Sequence, residues 1–162
     1  GRWIAFGSLA DRLVPEDRNG CGDVFVRDTD AETTELVSAA AVDLVPHTPS
    51  GSSSLAPGAL SADGRYVAFI SSATNLVSGV TNGAYNVFIH SRQTGVTTRV
   101  SVASDGTQGN GESYPSSISA DGRYVAFQSK ASNLVSGDTN GYADIFARRF
   151  LEYTQYFPLV GR

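Results

Sequence analysis

One motif in this chain is written three times. Gly64-Arg-Tyr-Val-Ala-Phe69 returns as Gly122-Arg-Tyr-Val-Ala-Phe127, and Gly1-Arg-Trp-Ile-Ala-Phe6 is a third version. The offsets are 63 and 58 residues. Each match runs on without a gap. Arg12-Leu-Val-Pro-Glu16, Asn75-Leu-Val-Ser-Gly79 and Asn133-Leu-Val-Ser-Gly137 align, and so do Asp23-Val-Phe25, Asn86-Val-Phe88 and Asp144-Ile-Phe146. Between Ser61–Phe88 and Ser119–Phe146, 20 of 28 positions are identical, which chance does not produce. A repeat of this period means that each copy is one structural unit, stacked on its neighbours. The units run over about 1–45, 46–104 and 105–149, and 150–162 is a divergent tail.

The local chemistry of each unit is β. Tyr66 to Ile70 is aromatic and β-branched. Its two faces, Tyr66/Ala68/Ile70 and Val67/Phe69/Ser71, are both largely apolar, so the strand should be covered on both sides. Ser61-Ala-Asp-Gly64 reads as a hairpin turn, because Asp-Gly allows positive φ. Pro57 to Leu60 and Pro115 to Ile118 read as short strands before that turn, with proline at an open edge. Val87 to His90 turns at Gln93-Thr-Gly95 into Val96 to Val102, whose alternation suits a half-solvated outer strand. One unit is therefore four antiparallel strands with no helical period. Such sheets in tandem, apolar on both faces, stack radially as the blades of a β-propeller. The equal spacing and near-identity of the units argue against the alternative, a β-sandwich of about eleven strands. The expected fold is all-β: a propeller section of about three four-stranded antiparallel blades.

Ser-Ala-Asp-Gly-Arg-Tyr-Val-Ala-Phe, at 61–69 and 119–127, resembles a known signature. It is the Ser-Pro-Asp-Gly-(Lys/Arg)-x-(Ile/Val)-Ala-Phe of TolB-like propeller repeats, a WD-like group. The resemblance covers residues 1 to about 148. It implies a ring of about six blades, of which this chain is a fragment completed by missing blades or a second copy. The family includes periplasmic and secreted bacterial binding scaffolds, and propellers attached to serine peptidases or glycan-degrading enzymes. The resemblance therefore implies an extracytoplasmic location and a range of functions. Gly1 aligns with the last residue of the Ser-Ala-Asp-Gly turn, so the first unit is expected to lack its inner strand. The repeat stops near Arg149, so the third is expected to lose its outer strand, although Tyr153 to Phe157 is a candidate replacement.

Composition narrows the partners. The formal charge is −4 and lysine is almost absent, with Lys130 alone. That disfavours binding to a phosphate backbone, which needs clustered Lys and Arg. No apolar stretch reaches the ~18 residues of a membrane span. The single cysteine, Cys21, has no partner for an internal disulfide and belongs to no zinc-type spacing.

The most suggestive loop is Asp138-Thr-Asn-Gly-Tyr-Ala-Asp144, with Asp17-Arg-Asn-Gly-Cys-Gly-Asp23 as its first-unit partner. Asp17, Asn19 and Asp23, and likewise Asp138, Asn140 and Asp144, offer hard oxygen ligands of the kind Ca²⁺ takes. The competing reading is an Asx turn, in which Asp or Asn accepts nearby backbone N–H bonds and Gly takes positive φ. The middle copy, Val80-Thr-Asn-Gly-Ala-Tyr-Asn86, keeps Asn82-Gly83 without either carboxylate, which favours the turn. No cofactor is expected, with calcium as the one candidate. Arg2, Arg65 and Arg123 follow the hairpin turns, and they either meet an anionic ligand or pair with neighbouring Asp, the reading favoured here. Asp63 and Asp121 read as structural. Tyr85, Tyr114 and Tyr142 lie in or beside loops, where they either stack on sugars or pack.

No reaction motif is present. The chain has no Gly-x-Ser-x-Gly for a triad, and His90 and His47 have no sequence partner. No carboxylate pair stands out for glycoside hydrolysis. Gly106-Thr-Gln-Gly-Asn-Gly111 has no following helix and reads as a flexible loop. The expected function is a non-catalytic extracytoplasmic binding or scaffold domain, its protein or glycan partner unspecified. The alternatives are a propeller domain of a larger peptidase or polysaccharide-degrading enzyme, and a calcium-stabilised cell-surface module.

Overall fold

A computed structural model describes residues 1–40 and 49–150. His47 and the candidate strand at Tyr153 to Phe157 lie outside the described residues. The described chain is all-β and forms three antiparallel sheets. The first sheet holds β1 (Trp3–Ser8), β2 (Asp23–Asp28) and β3 (Thr33–Leu36), in that order. The central sheet holds β4 (Ser53–Ser54), β5 (Tyr66–Ser71), β6 (Asn86–Ser91) and β7 (Val96–Arg99). The third holds β8 (Ser113–Ile118), β9 (Tyr124–Ser129) and β10 (Asp144–Arg149). Among the described residues the first sheet has three strands, the central sheet four and the third three.

The repeat is written into the register. Phe6 faces Phe25, Phe69 faces Phe88 and Phe127 faces Phe146 across each strand pair. All three pairs stack at 5.6–5.7 Å with nearly the same tilt. One serine position repeats as well: Ser8, Ser71 and Ser129 each accept the N–H of the residue two further on, Ala10, Ala73 and Ala131. Ser71 and Ser129 are also bonded to Ser53 and Ser113 on the neighbouring strand, at 2.9 Å.

The hairpin turns form as expected. In Ser61–Gly64 the Gly64 N–H donates to the Ser61 carbonyl, with Gly64 at φ 70°. Asp63 accepts from the Ser61 hydroxyl and from the Arg65 N–H. Ser119–Gly122 repeats every one of these bonds. The strand expected at Pro57 to Leu60 is different. It is reduced to one bridge, Leu60 to Val67, and the edge pairing moves upstream to Ser53–Ser54. Pro57 supplies no N–H to a ladder, and Gly58 sits at φ 78°, so the chain cannot stay extended there. β8 starts two residues before Pro115 and carries a bulge between Pro115 and Ser117. The Gly106 loop opens on a hydrogen-bonded turn, with Ala103 N–H donating to the Thr107 carbonyl and Asp105 capping the Thr107 N–H.

β5 is buried on both faces throughout. Val67, Phe69, Leu76 and Val80 pack with Phe88 against Val24 and Val26 of the first sheet. Tyr66, Ala68, Ile70, Val87 and Ile89 pack against Val125, Phe127 and Leu134 of the third. Each fully buried side chain of this kind contributes about 1.5–3 kcal/mol. The sheets therefore stack face to face, and two aromatic residues close the joints. Trp3 lies on Gly64 and Tyr66 lies on Gly122, so near that a Cβ at either glycine would overlap the ring.

Two predictions follow the packing. Gly122→Ala combines positive φ with a clash on Tyr66, and is expected to destabilise the chain by about 2–4 kcal/mol in urea unfolding. An alanine at Gly137, where φ is also positive but a Cβ meets nothing, should cost clearly less. Glu32 holds φ 55° at the turn position that Gly95 occupies in the central sheet. Glu32→Gly is expected to stabilise the protein by roughly 0.5–1 kcal/mol, and an unchanged or lower midpoint would contradict that strain.

Candidate functional site

The loops joining β1 to β2, β5 to β6 and β9 to β10 emerge at equivalent ends, because each connects the same strand termini. All three are Asx turns. Asn19, Asn82 and Asn140 accept the N–H of Cys21, Ala84 and Tyr142 at 2.7–3.2 Å, with Gly20, Gly83 and Gly141 at φ 62–73°. The Asn side-chain oxygens are thus engaged by the turn in every copy. The Asn19 and Asn82 amides also reach across to the next unit, to the carbonyls of Pro49 and Gly109. The turn therefore has a second task, tying each unit to its successor.

The carboxylates of these loops differ between copies. In the first loop Asp17 and Asp23 are buried, at 1% and 0% exposure. Asp23 accepts from the Ser38 hydroxyl at 2.7 Å. Burial, followed by the neighbouring carboxylates Asp23 and Asp11, pushes the Asp17 carboxyl above its ordinary range. Burial also pushes up Asp23, against the hydrogen bonds from Ser38 and Asn19. In the third loop Asp138 and Asp144 are half-buried, and Asp144 accepts the Asn140 amide at 3.0 Å. Among the described residues, no three His, Cys, Asp or Glu side chains converge as a metal-binding group.

At the opposite end, the recurrent arginines all pair with Asp. Arg65 meets Asp63 at 2.6 Å and Arg123 meets Asp121 at 3.9 Å. Arg2 reaches across the hairpin to Asp28, donating through Nε and Nη2. A shallow concavity lies among Arg65, Tyr66, Asp121, Gly122, Arg123 and Arg149, at the joint of the second and third units. Arg92 caps the earlier joint. It lies 4.1 Å over Trp3, donates to the Gly64 carbonyl, and pairs with Glu35 of the first sheet at 2.8 Å. Phe150 occupies the same place over Tyr66, edge-on at 5.7 Å.

His90 belongs to this strut. Its Nδ1 lies 2.9 Å from the Thr97 hydroxyl, and its Nε2 is 3.4 Å from Glu35 without hydrogen-bond geometry. A hydroxyl, an imidazole and a carboxylate thus stand in line, but the setting is not that of a nucleophile. Thr97 lies in a regular strand, the imidazole is buried, and Arg92 holds Glu35. Burial, which would raise the Glu35 carboxyl, is outweighed by His90 and Arg92, so its ionised form is favoured. Sequence alignment places His90 opposite Arg27 and Arg148 but gives no hint of Glu35, which comes from another unit. Tyr85 and Tyr114 pack against the core between the second and third sheets, and the Tyr114 hydroxyl donates to Glu112. Tyr142 stands in solvent at 78% exposure. Cys21 is half-buried and unpaired.

Comparison with known proteins adds little. No family model matches the chain, and no curated protein matches it. Among solved structures it is similar to TolB from Acinetobacter baumannii, with a TM-score of 0.47 and 17% identity. The superposition covers 92% of this chain and 27% of that one, so the chain spans about a quarter of the length of that protein. Among the described residues no helix is long and apolar enough to cross a membrane.

The arginine pairs predict a pH response. Hydrogen bonds from Arg2, against partial burial and with help from the Ala31 and Asp30 N–H groups, hold Asp28 far below the usual carboxylate range. For Asp63, partial burial pushes upward but is outweighed by the Arg65 N–H, the Ser61 hydroxyl and the Arg65 guanidinium, giving about 2. Both groups ionise more readily folded than unfolded. Their stabilisation is complete above about pH 4 and is lost as the pH falls toward 2 and below. Arg2→Ala is expected to be less stable than the parent at pH 7 and to lose less stability between pH 5 and 2. Equal acid slopes in chemical denaturation would show that the Arg2–Asp28 pair does not couple to folding.

Proposed function

We propose that this chain is a section of a TolB-like β-propeller that serves as a non-catalytic binding scaffold outside the cytoplasm. The observation that carries this reading is the division of labour within the repeat. Side chains common to the copies are taken up by the frame: the Asp-Gly turns, the Asn-Gly turns, the stacked phenylalanines and the buried serines. Side chains that differ between copies stand in the loops at one end, among them Leu9 and Tyr142, both exposed. A rigid repeated frame with variable loops is how scaffold proteins build a recognition surface. A concavity in the first loop, lined by Asp11, Arg12, Leu13, Val14, Pro15 and Arg18, gives that surface relief. The extracytoplasmic location rests on the repeat signature alone.

The propeller reading has its own support. Val87 in the central sheet is fully buried, whereas Ile145 at the same repeat position in the third is 69% exposed. Val67 is fully buried, whereas Ile4 in the first sheet is 49% exposed. Tyr124 and Leu13 are likewise exposed where Tyr66 and Leu76 are buried. Each outer sheet thus presents the face that the central sheet uses to hold a neighbour, and a further unit of the same kind fits there.

The binding reading is tested by screening the purified chain against soluble oligosaccharide and extended-peptide libraries, alongside chromogenic ester, peptide and glycoside substrates. Binding without turnover is expected, and Tyr142→Ala with Leu9→Ser should weaken it about tenfold, as loss of an anchoring side chain does. Turnover that disappears in His90→Gln would overturn the non-catalytic reading.

A further inference from the structure

We propose that the first loop binds a calcium ion between Asp17 and Asp23. The two carboxyls lie within hydrogen-bonding reach of each other, and both are almost fully buried. Asp17 Oδ1 and Asp23 Oδ2 have no hydrogen-bond partner. Neither residue takes part in any of the ion pairs among the described residues. Arg18, which follows Asp17 in the chain, donates instead to the Pro15 carbonyl. A third carboxylate, Asp11, is close enough to add its charge to both. Asp23 Oδ1 has the Ser38 hydroxyl, but the two remaining buried oxygens face each other without a donor or a cation, which is unfavourable unless a cation or a shared proton lies between them.

The central unit shows that the fold does not itself need these acids. There the equivalent residues are Val80 and Asn86, both buried. Asn86 donates to the Asn82 side chain and the Ala84 carbonyl, and accepts from Asn82 and from Ser101. An apolar residue and a satisfied amide thus fill the place neutrally. The first unit puts two acids in that place and leaves an oxygen of each unpaired. In the third unit the equivalent acids are half-exposed, and the Asn140 amide falls back on Asp144. In the first unit the Asn19 amide is drawn across to Pro49, and the loop is closed by the following unit. The buried, donor-poor pair therefore exists only at the first joint.

The donor set selects the ion. It is all oxygen and carries two carboxyls, with the remaining positions left for loop carbonyls or water to supply when an ion binds. Calcium takes six to eight such oxygens in flexible geometry, whereas magnesium demands a tight octahedron.

The test is calcium titration of the purified chain by calorimetry and thermal melting, starting from protein stripped with EGTA. Heat of binding and a rise of about 5 °C in the melting temperature at millimolar Ca²⁺ are expected, with a much smaller response to Mg²⁺. Asp17→Val with Asp23→Asn, the pair that the central unit carries, should fold and lose the response. Should that double variant fail to fold, Asp17→Asn preserves the side-chain size and should weaken calcium binding at least tenfold. Asp138→Asn with Asp144→Asn should leave the response intact. No heat and no shift in the parent chain would assign the pair to a shared proton and overturn the proposal. A response that persists in the Asp17 variants, or vanishes with the Asp138 pair, would overturn it equally.

Discussion

The structure depends on one repeated contact, an aromatic ring laid on the glycine of the next unit's turn. Trp3 on Gly64 and Tyr66 on Gly122 leave no room for a Cβ. The same glycines hold positive φ, so one residue type satisfies two demands at once. From this contact the rest of the joint follows. The ring is capped from above, by Arg92 in one case and Phe150 in the other. The sheets are brought close enough to bury β5 on both faces. A strand buried on both sides has no polar face, which is why Tyr66 to Ile70 reads as an apolar run rather than an alternation.

The ion pairs of this chain tie its turns and its units together. Each recurrent arginine is matched by an aspartate, and Arg92 holds Glu35 across a joint between sheets. The exception is the first loop, where two buried acids each keep one oxygen without a donor. That contrast is visible only because the chain carries its own control, the same loop built with Val80 and Asn86.

Much of this was legible in the sequence because repetition makes equivalent positions comparable. The Asp-Gly turns, the two-sided burial of β5, the Asn-Gly turns and the arginine–aspartate pairing were all readable from aligned copies. What could not be read depends on contacts between units. Glu35 differs at its repeat position, so nothing in the alignment connects it to His90. The repeated serines, Ser8, Ser71 and Ser129, are identical in the copies, yet serine by itself suggests solvent rather than the buried strand edge that Ser71 and Ser129 occupy. The strand expected at Pro57 to Leu60 failed for a local reason. Proline before a glycine at positive φ breaks the ladder, whereas the third unit, with Ser116 and Ser117 in place of Gly58 and Ala59, keeps it. The burial of Asp17 and Asp23 was equally hidden, since the loop composition is polar and only the following unit closes over it.

The central sheet holds a neighbour on each face, and we propose that the exposed apolar outer faces of the first and third sheets receive further units of the same kind. Light scattering on the purified chain, set beside a variant with Tyr124→Ser and Ile145→Lys, tests it most directly. The account predicts a parent mass above the 17.0 kDa of one chain, rising with concentration, and a variant that is folded and returns to 17.0 kDa. A parent chain that stays a well-folded 17.0 kDa monomer at every concentration would contradict it.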